Sequence, residues 1–198
     1  MLIPKRQVRA KHDDETLIVY QAYSPAIAGP AVEAQTFVSP FKRERMTWIK
    51  PSFNWMMYRC GYGTKPDQER VLAITITRAG FAWALAHACL SEYEPDIYPS
   101  YEAWQERKRT SPVRVQWDPE RSVALDRLEH RAIQVGLGGA SVGRYVDEWI
   151  VGIEDVTPLA REVHGLVEDG DRDAANALVP VERPLALPED ARAAVGAQ

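Results

Sequence analysis

Phe41–Gly63 reads FKRERMTWIKPSFNWMMYRCGYG, and two patterns meet inside it at Pro51. Ahead of Pro51, the cations Lys42, Arg43, Arg45 and Lys50 are interleaved with Phe41 and Trp48. Such a stretch reads as a loop or strand that meets something anionic and flat, since cations pair with phosphates and indole faces with rings. From Pro51 a helix opens, because proline is pre-organised for the first helical position. Phe53, Met56, Met57 and Cys60 recur at i, i+3, i+4 and i+7, a stripe that faces a core. Asn54, Tyr58 and Arg59 fall off the stripe, and Gly61 and Gly63 end the helix. The stripe is packing; the basic and aromatic residues before it are the candidate surface.

The rest of the chain sharpens that contrast. Its 198 residues suit one domain with a proper core, and 45% apolar with 26% charged residues is globular composition. The net charge of −4 excludes a generic polyanion binder. Residues 1–70 nevertheless hold 11 Lys/Arg against 7 Asp/Glu, whereas residues 71–198 hold 13 against 21. A basic first third on an acidic protein implies a local anion site. Cys60 and Cys89 lie on apolar faces and read as buried free thiols. His12, His87, His130 and His164 lack metal-ligand spacing, so no metal is expected. With no apolar leader and no run of membrane-spanning length, a cytoplasmic protein without membrane contact is expected.

Working outward, Thr16–Tyr23 (TLIVYQAY) and Arg70–Thr77 (RVLAITIT) are β-branched strands. Val8–Ala10 is a possible short strand, and Ala26–Gln35 a helix broken or capped near Gly29-Pro30. Thr77 caps a helix over Ala79–Leu90. Residues 91–111 are a polar surface excursion, helical over Glu102–Arg109. In Val113–Trp117, apolar Val113, Val115 and Trp117 alternate with Arg114 and Gln116, a half-buried strand ended by an Asp118-Pro119 turn. Ala132–Leu137 and Glu148–Val156 complete five strands. Between the last two, Ser141 caps a short helical turn reaching Asp147. Helices follow from about residue 158. Without regular β-α alternation the fold class is α+β: a mixed, mainly antiparallel split sheet with flanking helices. Residues 1–184 are read as one domain and 185–198 as a mobile tail.

No P-loop, nucleophile elbow or dinucleotide fingerprint is present. Gly136, Gly138 and Gly139 read as a strand-end turn, and Asp118 with Glu120 as a solvated turn. Glu148 is the more informative carboxylate. It stands at the mouth of an apolar strand, where a catalytic group is held rigidly or an edge charge simply sits.

Six segments in order, RQVRA, IVYQAY, RMTWIKPSFNWMMYR, VQWDPER, RAIQVGL and DEWIVGIEDVT, resemble an uncharacterised microbial family, domain-of-unknown-function family 4291, from about Arg6 to Pro184. A more distant resemblance is to the ADP-ribosyltransferase superfamily. Val19-Tyr20-Gln21-Ala22 is similar to its opening strand, and Trp48 followed by Ser52–Tyr58 to its aromatic strand and serine-started helix. Asp147-Glu148-Trp149-Ile150-Val151 is similar to its NEYIVY signature. Gln21 stands where that superfamily has His or Arg, and Trp48 where it has Tyr or Ser. The resemblance implies a transferase-like fold, NAD as co-substrate, and Glu148 as the catalytic carboxylate that stabilises oxocarbenium charge. Under it, Arg9, Gln21, Tyr23, Trp48, Lys50 and Tyr58 hold the cofactor, and Lys42, Arg43, Arg45 and Arg59 are anion contacts. The acceptor would be a protein, a nucleic acid or a small molecule. The competing expectation is a non-catalytic nucleic-acid-binding module that uses residues 41–63 for stacking and phosphate contacts.

Overall fold

The computed structural model describes residues 3–198. It is a mixed α+β structure with eight α-helices among the described residues and open sheets dominated by antiparallel pairs. One sheet has the order β2 (Thr16–Tyr23), β4 (Arg70–Thr77), β8 (Ile150–Asp155). The other has the order β3 (Thr47–Ile49), β7 (Arg127–Leu137), β6 (Val113–Arg121), β5 (Ala88–Leu90), its last pair parallel. A short ribbon pairs β1 (Arg9–Ala10) with β9 (Arg183–Pro184). The two main sheets meet at one residue pair: Tyr20 N–H donates to the Lys50 carbonyl at 2.7 Å and Lys50 N–H to the Tyr20 carbonyl at 3.2 Å. Lys50 therefore lies at a seam. Among the described residues no helix is long and apolar enough to cross a membrane.

The helix expected to open at Pro51 begins two residues later, at Phe53, because Ser52 and not the proline sets its start. α2 (Phe53–Cys60) is capped by Ser52, whose hydroxyl accepts from Trp55 N–H, and Gly61 ends it at φ 59°. That cap is worth about 1 kcal/mol, and the positive φ is one only glycine adopts without strain. Phe53, Met56, Met57 and Cys60 are all buried and pack with Tyr20, Tyr62 and Val71. Thr77 caps α3 (Arg78–Ala86) through Gly80 N–H. Both thiols are free and buried.

Several expectations are corrected. α1 (Pro25–Ala34) runs through Pro30 without breaking, since a proline six residues in removes only one second-turn hydrogen bond. The expected helix over Ala79–Leu90 stops at Ala86, and Ala88–Leu90 becomes β5 because β6 offers it a parallel partner. α4 (Tyr101–Thr110) is as expected, capped by Ser100. Asp118-Pro119 is no turn: β6 continues to Arg121, with proline at a register shift where its missing N–H is tolerated. The C-terminal residues, expected as a mobile tail, instead form α8 (Glu189–Val195). Ala191 and Val195 are fully buried, and Trp117 Nε1 donates to the Val195 carbonyl at 2.8 Å.

The segment before β8 differs most. α5 (Ala140–Arg144) passes into a π-helical turn, Tyr145–Trp149, and the strand starts only at Ile150. Glu148 is thus on the turn and not at the strand's mouth. The turn is held by Trp149, which lies against Gly80 of α3 where any β-carbon would collide with the indole. α6 (Thr157–Glu168) and α7 (Arg172–Leu178) follow and add Ala160, Val163 and Ala175 to the core around Phe53, Met56, Met57 and Cys60.

Candidate functional site

At the seam the sheets enclose an open cavity of about 570 Å³, within the roughly 300–1,000 Å³ typical of small-molecule sites. β2 contributes Gln21 and Tyr23; the loop into β3 contributes Lys42, Arg45 and Met46; β3 and its end contribute Thr47, Trp48 and Lys50. Met56 and Arg59 come from α2, Asp67 and Gln68 from the following loop, and Gln116 and Gln134 from β6 and β7. Strand alternation explains the floor. Val113, Val115 and Trp117 turn into the core, which leaves Gln116 on the opposite face with Gln134 directly across from it. Trp48 lies opposite Gly136; a β-carbon there would approach the indole to 2.9 Å, so only glycine lets the ring rest on the sheet.

Lys50 is the decisive side chain. It is 5% exposed, and among the described residues its ammonium makes one hydrogen bond, to the Trp48 carbonyl at 3.2 Å. An ammonium has three donors. No ion pair to Lys50, Lys42, Arg45 or Arg59 exists among the described residues. Burial first, and the nearby Arg59 charge second, pull the Lys50 ammonium down to about 8. Among the described residues Asp67 is the sole carboxylate in the lining.

Gln21 is a hub of the wall. Its amide nitrogen donates to Thr47 Oγ1 at 2.6 Å, Tyr23 Oη at 2.8 Å and the Trp48 carbonyl at 3.3 Å, while its oxygen accepts from Tyr145 Oη at 2.7 Å. Protein partners thus occupy the amide, and Gln21 shapes the cavity more than it offers free donors. Burial pushes the Tyr23 phenol up to about 12, so it is a neutral hydrogen-bonding group here.

Seven of the residues singled out from sequence therefore converge: Gln21, Tyr23, Lys42, Arg45, Trp48, Lys50 and Arg59. Four do not. Arg9 bonds the Glu182 carbonyl beside β9. Tyr58 stacks on Trp55 outside the cavity, with Arg121 3.7 Å above its ring. Arg43 is paired bidentately with Asp147 at 2.6 and 2.8 Å. Glu148 is exposed, pairs with Arg144 at 3.1 Å, and is absent from the cavity lining.

A second polar cluster escaped sequence reading. Glu182 accepts from Phe53 N–H at 2.7 Å, and Glu120 from Ser52 Oγ at 2.9 Å, so two carboxylates share the start of α2. Burial and then the Glu120 charge push Glu182 up to about 8; burial raises Glu120 as well. Glu120 is therefore no solvated-turn residue. The two acids lie 62 positions apart in sequence, and no local pattern signals their pairing.

No curated protein matches the chain. The model of one family, described as a domain of unknown function (DUF4291), matches residues 7–185, so its span covers the seam, the cavity and both carboxylates, and the chain belongs to that family.

Proposed function

We propose that the chain binds a phosphate-bearing nucleotide of the NAD type in the cavity at the seam. The observation that supports this best is Lys50, a buried cation of the cavity lining whose ammonium has one hydrogen-bond partner among the described residues. Burying a charge without partners is costly, and an anion would complete its donors. The donor set fits such a ligand: Lys42, Arg45 and Arg59 suit phosphates, the Trp48 face suits a ring, and Asp67 suits sugar hydroxyls. A concave site with one buried cation favours a small ligand over a nucleic-acid strand, which needs an open groove along its backbone.

The test is titration calorimetry with NAD and ADP-ribose at physiological salt. Saturable one-to-one binding that inorganic pyrophosphate displaces is expected. Absence of heat for both nucleotides at millimolar concentration would remove the reading.

Transfer of ADP-ribose from NAD, with release of nicotinamide and Glu148 as the carboxylate, is a second reading. One contact favours it: Tyr145, the first residue of the turn that carries Glu148, donates to Gln21 in the cavity wall. Nicotinamide release from NAD by the unmodified protein, lost in Glu148→Gln with NAD affinity retained, is its expected signature. Equal release by both proteins, or none by either, rules Glu148 out of that role.

A further inference from the structure

The cavity floor carries an array that the nucleotide reading leaves unused. Gln116 and Gln134 are directly opposed partners of β6 and β7. Each donates its amide nitrogen to a different oxygen of Asp118: Gln116 Nε2 to Oδ1 at 2.8 Å, Gln134 Nε2 to Oδ2 at 2.6 Å. An ionised carboxylate only accepts hydrogen bonds. Asp118 therefore fixes the sense of both amides and leaves both Oε1 atoms as acceptors. Neither Oε1 has a protein partner among the described residues, and both glutamines line the cavity, whereas Asp118 does not. Two positions along β7 from Gln134, on the same face, the Trp48 indole rests on Gly136. A ring platform thus adjoins two acceptors whose orientation a buttressing carboxylate has set.

We propose that Gln116 and Gln134 read the amino group of a ring stacked on Trp48, so that the site selects amino-bearing rings and rejects those carrying an oxygen there. The inference rests on the nucleotide reading and adds the chemical class that the site distinguishes. An oxygen facing two fixed acceptors can pair with neither, and such a mismatch in a site built to accept hydrogen bonds is strongly rejected. Two groups on an NAD-type ligand carry this chemistry, the adenine amine and the nicotinamide carboxamide. Asp118 acts as a positioning residue: replaced by asparagine, it could satisfy one amide only by offering its own oxygen, and the other glutamine would turn over and present a donor.

The experiment compares affinities of the full chain for AMP against IMP, and for nicotinamide mononucleotide against its nicotinic acid counterpart. In at least one pair the amino-bearing member is expected to bind about tenfold or more tightly, and the discriminated pair identifies the ring. In Asp118→Asn and, independently, in Gln134→Met, the ratio should fall toward one. General loosening of the fold would weaken both members of a pair alike and leave that ratio standing. Equal affinities within both pairs, with all four ligands displaced by pyrophosphate, would overturn the array and leave the nucleotide reading intact. A ratio unchanged in both variants would also overturn it. No binding of any of the four would remove the nucleotide reading, and this inference with it.

Discussion

Two basic clusters of this chain have similar composition and opposite electrostatic situations. Around the π-helical turn, Arg43 is matched by Asp147 and Arg144 by Glu148, and Arg144 also lies 4.2 Å from the Trp83 ring. In the cavity, Lys42, Arg45, Lys50 and Arg59 have Asp67 as the carboxylate of the lining among the described residues. Asp118 acts on Lys50 from beneath the floor more weakly than Arg59 does, and the Lys50 ammonium has one neutral hydrogen-bond partner. Cations whose partners come from the chain serve the fold. Cations that the fold gathers in a hollow and leaves unmatched are arranged for an anion from outside.

The most forceful way to break this contrast is to remove one cation from each cluster. Lys50→Met keeps the aliphatic stem and deletes the charge, and a charge-assisted hydrogen bond contributes about 1.5–3 kcal/mol. ADP-ribose affinity is expected to fall roughly 10- to 150-fold, whereas Arg144→Met leaves it within about twofold. Calorimetric titration of the two variants side by side checks this. Comparable losses in both would erase the distinction.

The pH dependence sharpens the same point. The Lys50 ammonium titrates near 8 in the ligand-free protein, below its ordinary value near 10.5. Its charged form is complete below that pH and lost as pH rises through it. The pyrophosphate charges of ADP-ribose do not change between pH 6 and 9, so its affinity should be flat to about pH 7 and then decline, by at most tenfold per pH unit. Lys50→Arg stays charged throughout and should flatten the profile. A profile in which the unmodified protein and Lys50→Arg decline together would assign the titration elsewhere.

Much of this architecture is legible in the sequence wherever the cause is local. The Phe53, Met56, Met57, Cys60 stripe, the Thr77 cap and the β-branched runs of β2 and β4 are set by neighbours within four residues. What the sequence hides is non-local. Ala88–Leu90 looks helical until β6 lies beside it, and the polar outer half of the β6–β7 hairpin looks like a loop. α8 looks like a tail because its alanines become apolar contacts only against α3 and Trp117. The same division runs through the site. Trp48 and Lys50 are conspicuous within one basic-aromatic segment, and Gln21 and Tyr23 through their strand. Gln116 has a local cue in its alternation with Val115 and Trp117, but its pairing with Gln134 and Asp118 requires the hairpin register.

Glu182 tests the opposite kind of unmatched charge, a carboxylate beside a carboxylate. It is raised to about 8, above the ordinary 4.5, first by burial and then by Glu120. The folded protein thus holds a proton that the unfolded chain releases, and the associated stability is complete below about pH 4.5 and lost as pH rises through 8. Glu182→Gln retains an oxygen for Phe53 N–H and removes the titration. The variant should melt several degrees above the unmodified protein at pH 9, a gain of about 1–2 kcal/mol, and the gap should close toward pH 5. Thermal melts across that range would show it, and an equal gap at every pH would exclude Glu182 as the titrating group.

The smallest effect belongs to Glu148, the carboxylate most prominent in the sequence. Its pair with Arg144 is an i, i+4 contact between side chains that are 37% and 55% exposed, so solvent screens it heavily. Such pairs contribute at most about 0.5 kcal/mol. Arg144 keeps its Trp83 stacking when Glu148 is replaced, so the turn retains its main support. Glu148→Gln should therefore shift the melting temperature by no more than about 2 °C and leave ADP-ribose affinity unchanged, as measured by thermal melts and calorimetry on one preparation. A marked loss of affinity in this variant would mean that the turn closes onto the cavity when ligand is bound. The boundary between the matched and unmatched clusters would then belong to the ligand-free protein alone.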